Sequence, residues 1–182
     1  MKTRSRIFSL VIITTLFSGM AFAATGPTDW LKSIDNKLKP LLTNSTKNND
    51  KIVQILGQMM DFDTLCQASL GNHWATRTAA EQKDFSTILR ALIEKNVIAR
   101  LSSTSGKNPN AIIYVSEKVK GNKASVTTTV KDGTGPRAAE IELVYKLEKN
   151  GNSWIVVDME TDGVSLVSNY RSQFNQIIKK NN

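Results

Sequence analysis

Cys66 and His73 are the chain's one cysteine and one histidine, and between them they offer its nearest approach to a nucleophile with a base. A thiolate activated by imidazole can form a covalent intermediate. The residues around this thiol carry no known signature, however, and the spacing falls in a stretch of helical character, so a buried, unreactive cysteine is expected. Asp158, Glu160 and Asp162 alternate along one face of a predicted strand, and three carboxylates so placed could hold a hard cation such as calcium. A solvated strand face is the simpler reading. With one histidine, a histidine-based metal cluster is excluded. The sequence contains no Gly-x-Ser-x-Gly elbow, no phosphate loop and no paired zinc-ligand spacing. Neither a catalytic residue nor a cofactor is therefore expected. Tyr170 and Arg171 stand side by side, and a guanidinium pairs well with phosphate; Arg171 could equally brace its helix against a carboxylate such as Asp158.

The elements that would position these groups fall into two blocks. Leu31, Ile34, Leu38 and Leu41 recur at helical spacing after Thr28, a predicted N-cap, with Pro40 expected to break or kink the end. Ile52, Ile55, Leu56, Met59 and Met60 give a second helix its apolar stripe, after a polar loop from Asn44 to Asp50. Thr78-Ala79-Ala80-Glu81 is a capping box that opens a longer helix. Its inward face is Phe85, Ile88, Leu89, Leu92 and Ile93, and it should end before Gly106-Lys107-Asn108-Pro109. The period then changes to two. Ile113 and Val115, then Ala124, Val126, Thr128 and Val130, then Ile141, Leu143, Tyr145 and Leu147 alternate with polar neighbours. Gly121-Asn122, Asp132-Gly133-Thr134-Gly135-Pro136 and Asn150-Gly151-Asn152 supply the turns. Trp154 to Thr161 is the fourth strand, and Leu166, Tyr170, Phe174, Ile177 and Ile178 form the stripe of a closing helix. The fold class is α+β, with helices on one face of a curved four-stranded antiparallel sheet.

The N-terminus points to export. Lys2, Arg4 and Arg6 precede an apolar run from Ile7 to Phe17, and Ala21-Phe22-Ala23 follows with small residues around the expected cut. Residues 1–23 therefore read as a cleaved signal peptide and residues 24–182 as one domain. The signal carries three positive charges, so the formal charge of +8 falls to +5 on cleavage. A surplus of this size favours anionic surfaces or acidic partners and is too diffuse to argue for nucleic acid. A lone cysteine also excludes an internal disulfide, so the core alone must hold the fold.

The Trp-led strand Trp154-Ile155-Val156-Val157, the hinge Gly163-Val164-Ser165-Leu166 and the helix Ser168-Asn169-Tyr170-Arg171-Ser172-Gln173-Phe174 together resemble the MlaC, or toluene-tolerance, family of periplasmic phospholipid-binding proteins. Asp61-Phe62, Leu70-Gly71, Trp74, Glu81-Gln82, Phe85 and Leu89, the Gly135-Pro136 turn and Tyr145 extend the likeness over most of the mature chain. The resemblance implies an NTF2-like architecture enclosing an apolar lipid cavity and a soluble periplasmic carrier, not an enzyme. It further implies a phospholipid ligand, an inner-membrane ABC transporter complex and an outer-membrane lipoprotein complex as partners, and transient contacts with membranes. On that reading the lining candidates are the inward sets Ile113, Val115, Val126, Val130, Ile141, Leu143, Tyr145, Val157 and Met159, with Leu89, Leu92 and Ile93 opposite. Tyr170 and Arg171 would then stand at the mouth, Arg171 toward the head group. Other readings stay open: a carrier of a hopanoid or isoprenoid lipid, a small cavity enzyme, which would need an inward acid or base, and an interaction module with no room for an acyl chain.

Overall fold

The computed structural model describes residues 25–104, 112–132 and 139–181. The expected signal peptide, the Gly106–Pro109 loop and the Gly135–Pro136 turn lie outside the described residues.

Helix α1 (Pro27–Leu42) starts on Pro27, whose missing N–H costs nothing at that position. Gly26, not Thr28, is the N-cap, and the free Thr28 N–H is met by the Glu117 carboxylate at 2.8 Å. A carboxylate at a helix N-terminus also suits the helix dipole. Pro40 lies inside the helix, which runs on to Leu42. Leu31, Ile34, Leu38 and Leu42 form its buried stripe. Helix α2 (Asn49–Met59) buries Ile52, Leu56 and Met59.

Helix α3 (Phe62–Leu70) is an addition to the helices expected from periodicity. Its signal is short-range: Asp61 accepts from the Thr64 N–H at 2.9 Å and from the Thr64 hydroxyl at 2.7 Å. Gly71 ends the helix at φ +58°, a conformation that L side chains rarely adopt, and leads into a 3-10 helix (Gly71–Thr76).

Helix α4 (Ala79–Thr104) opens with the capping box. The Thr78 N–H donates to Glu81 Oε2 at 2.7 Å, and the Glu81 N–H donates to Thr78 Oγ1 at 3.3 Å. These bonds from Thr78 hold the Glu81 carboxyl below its ordinary range. A lowered pKa gives stability that is present above the unfolded value, about 4.3, and is lost as pH falls through the folded value. Glu81→Gln is therefore expected to lower the melting temperature slightly at neutral pH, where this contribution is present, and so to flatten its acid limb.

Strands β1 (Ile112–Lys120), β2 (Lys123–Asp132), β3 (Ala139–Asn150), β4 (Ser153–Thr161) and β5 (Val164–Ser165) form one antiparallel sheet in chain order, followed by helix α5 (Leu166–Asn181). The sheet has five strands where four were expected. Asp162 and Gly163 both have positive φ, 48° and 79°, which closes a two-residue turn and lets Val164–Ser165 pair back on Glu160–Thr161. Gly121 and Gly151 supply the positive φ of the other two-residue turns.

Two bulges set which side chains face the helices. Val115 is the extra residue in β1, between Tyr114 paired with Thr128 and Ser116 paired with Thr127. Ile112 and Tyr114 thereby face inward before it, and Glu117 turns inward after it to reach α1. Val157 is the extra residue in β4, between Val156 and Asp158. It brings Met159 onto the inner face beside Tyr145, in phase with Trp154 and Val156. The core lies between this face and the helices: Val126, Leu147 and Val156 meet Ile52, Leu56, Leu65 and Ile93, all nearly inaccessible.

Candidate functional site

Toward the C-terminal end of α4 the helices part from the sheet and leave an apolar cavity of about 250 Å³. Leu31, Ile34 and Leu38 of α1 and Leu56 and Met59 of α2 form one side, and Val97 and Leu101 of α4 another. The sheet side is Ile112, Tyr114, Leu143, Tyr145, Met159 and Thr161, with Leu166 from α5. A recess of about 30 Å³ continues it past Leu101 to Val130 and Ile141.

Of the lining candidates, Leu143, Tyr145 and Met159 meet on the cavity wall, and Val130 and Ile141 line the recess. Val126, Leu89 and Ile93 are buried in the solid core and reach neither space. Ile113 and Val115 are corrected: they are 47% and 59% exposed on the outer side of β1, because the inward phase belongs to Ile112 and Tyr114. Leu92 is likewise turned outward, 42% exposed. Val157 sits in the bulge, away from the cavity. Sequence reasoning missed the contributions of α1 and α2, although their apolar stripes were plain, because both looked like ordinary core.

Polar groups interrupt the apolar wall. Asp35 lines the cavity with its side chain 12% exposed, and Lys39 Nζ stands 3.0 Å from its carboxylate. Asn96 and Arg100 of α4 complete the polar part of the lining. Burial, reinforced by the Asp35 charge, pushes the Tyr145 phenol up to about 12, and the same causes raise Tyr114 further. A raised pKa contributes stability that is present below the unfolded phenol value of about 10 and is lost as pH rises through the folded value. Tyr145→Phe is therefore expected to blunt alkaline destabilisation between about pH 10 and 12, measured by denaturant midpoints against pH.

The other chemical candidates are held apart. Cys66 is buried, its Sγ 3.8 Å from the Ser86 carbonyl, and burial pushes its thiol up, away from the reactive thiolate. His73 instead pairs through Nε2 with Asn175 Oδ1 at 2.8 Å. Asp158 accepts from the Ser165 hydroxyl at 2.6 Å and the Val167 N–H at 3.1 Å, which caps α5. Glu160 pairs with Lys146 at 3.3 Å, and Asp162 accepts from the Glu142 N–H at 3.0 Å. Among the described residues, no group of three or more His, Cys, Asp or Glu could hold a metal ion.

Tyr170 and Arg171 are not at the cavity. Tyr170 stacks on Phe174 at 5.9 Å, and Phe174 meets Phe85 edge-on at 5.1 Å, which fixes α5 against α4. Arg171 Nε donates to the Ala68 carbonyl at 2.8 Å, so it braces α5 on α3 rather than on Asp158. Among the described residues no helix is long and apolar enough to cross a membrane.

The MlaC protein family model matches residues 28–182. Comparison with curated proteins gives no match. Among solved structures, the chain is similar to a phospholipid-binding protein from Ralstonia solanacearum in complex with a phospholipid, at a TM-score of 0.70 and 20% identity. That likeness covers 86% of this chain and 89% of the other.

Proposed function

The chain belongs to the MlaC family, and we propose that it is a periplasmic phospholipid carrier. It would move lipid between outer and inner membranes in concert with an inner-membrane ABC transporter complex and an outer-membrane lipoprotein complex. The observation that carries this reading is the apolar cavity, walled by three helices and the sheet, in a fold similar to that of a protein solved with a phospholipid. Export through the N-terminal segment would place it between the membranes. The need for a carrier is energetic: exposing ~30 methylenes to water costs about 24 kcal/mol.

Two tails need roughly 900 Å³, taking ~30 Å³ per methylene, about one water's share of liquid volume. The cavity of about 250 Å³ takes one partial chain, so admitting both tails requires its walls to move apart. The test is native mass spectrometry of the mature protein purified from the periplasm without detergent, followed by organic extraction. A near-stoichiometric adduct with the mass of a diacyl phospholipid is expected. A polycyclic or isoprenoid adduct would reassign the cargo, and a protein that is empty and also takes nothing from vesicles would remove the carrier reading.

Asp35 favours a second reading, a small cavity enzyme, because it places a carboxylate on the wall near two tyrosine hydroxyls. Its ion pair with Lys39 gives it a structural role as well. Asp35→Asn should leave lipid uptake intact under the carrier reading; turnover of any extracted ligand by the wild type, lost in this variant, would establish the other.

A further inference from the structure

A recess of about 520 Å³ lies where the C-terminal half of α5 crosses the end of α3, lined by Gly71, Asn72, His73, Arg171, Asn175 and Lys179. It shares no residue with the apolar cavity, and its chemistry is different. No carboxylate lines it, and α5 carries Arg171, Lys179 and Lys180 with no acidic residue along its length.

Arg171 is built into this corner. Its Nε takes the Ala68 carbonyl, and its Cδ lies 3.3 Å from where a Cβ on Gly71 would stand, at a φ only glycine adopts freely. The backbone thus makes way for the arginine stem. A guanidinium carries five N–H donors, and among the described residues only the Nε of Arg171 is used. Asn175 has turned its oxygen to His73, and among the described residues its NH2 group and the Lys179 ammonium have no partner. Donors from three side chains therefore face one recess with nothing to neutralise them, which suits a tetrahedral oxyanion.

A phosphate could come from a lipid head group in a bilayer or from solution. The charge of α5 as a whole, Arg171, Lys179 and Lys180 with no acid, favours the bilayer, since an anionic membrane surface attracts a cluster of Lys and Arg collectively. We propose that this corner is a phosphate-binding site through which the protein rests on an anionic bilayer, separate from the cavity that holds cargo.

The experiment is co-sedimentation of the mature protein with vesicles of phosphatidylcholine alone and with one-third phosphatidylglycerol. The wild type binds the anionic vesicles in preference. Lys179→Gln, which breaks no contact, weakens that binding by about fivefold, and adding Arg171→Gln weakens it by about fivefold again. Lys37→Gln, which removes an exposed charge from α1, serves as the charge-matched control and changes it less than twofold. The melting temperature of each variant checks its folding. Equal loss in Lys37→Gln and Lys179→Gln would overturn the site in favour of diffuse charge. So would equal binding of the wild type to both vesicles. Millimolar inorganic phosphate that protects Lys179 chemically without reducing vesicle binding would identify a site for the free anion and overturn the bilayer assignment. Because the cargo adduct is measured separately, failure here leaves the carrier reading untouched.

Discussion

Val97→Trp is expected to abolish lipid uptake while the protein itself stays folded. Val97 stands on the α4 wall of the cavity, opposite Tyr145 and Met159 of the sheet, and an indole there would fill much of a space of about 250 Å³. Filling a void restores packing contacts, so the melting temperature of delipidated protein should hold or rise by a few degrees. The lipid adduct in native mass spectra should disappear. Leu92→Trp is the paired control: Leu92 lies on the same helix but faces outward, so the same indole there should leave uptake unchanged. Retention of a stoichiometric adduct by Val97→Trp would show that the cargo sits elsewhere.

Trp154→Ala is expected to cost about 3–5 kcal/mol of stability, the range for truncating a buried aromatic residue. Trp154 is 3% exposed, its Nε1 donates to the Thr25 carbonyl at 3.0 Å, and Lys149 Nζ lies 4.8 Å from the ring centre. Alanine removes all three contributions and opens a void between β4 and the segment that leads into α1. At about 2–4 °C per kcal/mol for a domain of this size, the melting temperature should fall by roughly 10 °C. Trp154→Phe keeps most of the burial and loses the bond to Thr25, so it should cost only about 1–2 kcal/mol. A loss below about 1 kcal/mol in the alanine variant would mean that this end of the sheet contributes little to the fold.

Much of the fold could be read from the chain because neighbouring residues decide it. The capping box at Thr78 and Glu81 forms with the expected partners, and β2 and β3 alternate cleanly because their outward positions, Val144 excepted, are polar. Phase failed where polarity gave none. In β1 the residues Ile112, Ile113, Tyr114 and Val115 are all apolar, so a period of two has no anchor and the bulge at Val115 decides. In β4 the run Trp154 to Val157 hides a second bulge in the same way. The cavity was least legible. Which of several apolar stripes ends as solid core and which faces a space depends on where α4 diverges from the sheet, a tertiary outcome. Arg171 illustrates the same limit: Asp158 is already committed to Ser165 and Val167, and a main-chain carbonyl brought up by α3 takes its place as partner.

The chain-order sheet bears on how the molecule is made. Each strand pairs only with its sequence neighbours, and three of the four connections are two-residue turns, so most of the sheet forms by short-range closures with little loop entropy to overcome. The contacts that fasten the N-terminus are of the opposite kind: Thr28 reaches Glu117 across 89 positions, and Thr25 reaches Trp154 across 129. The hairpins are thus set to assemble before α1 closes over them. One side of the cavity is then added to a sheet that already exists.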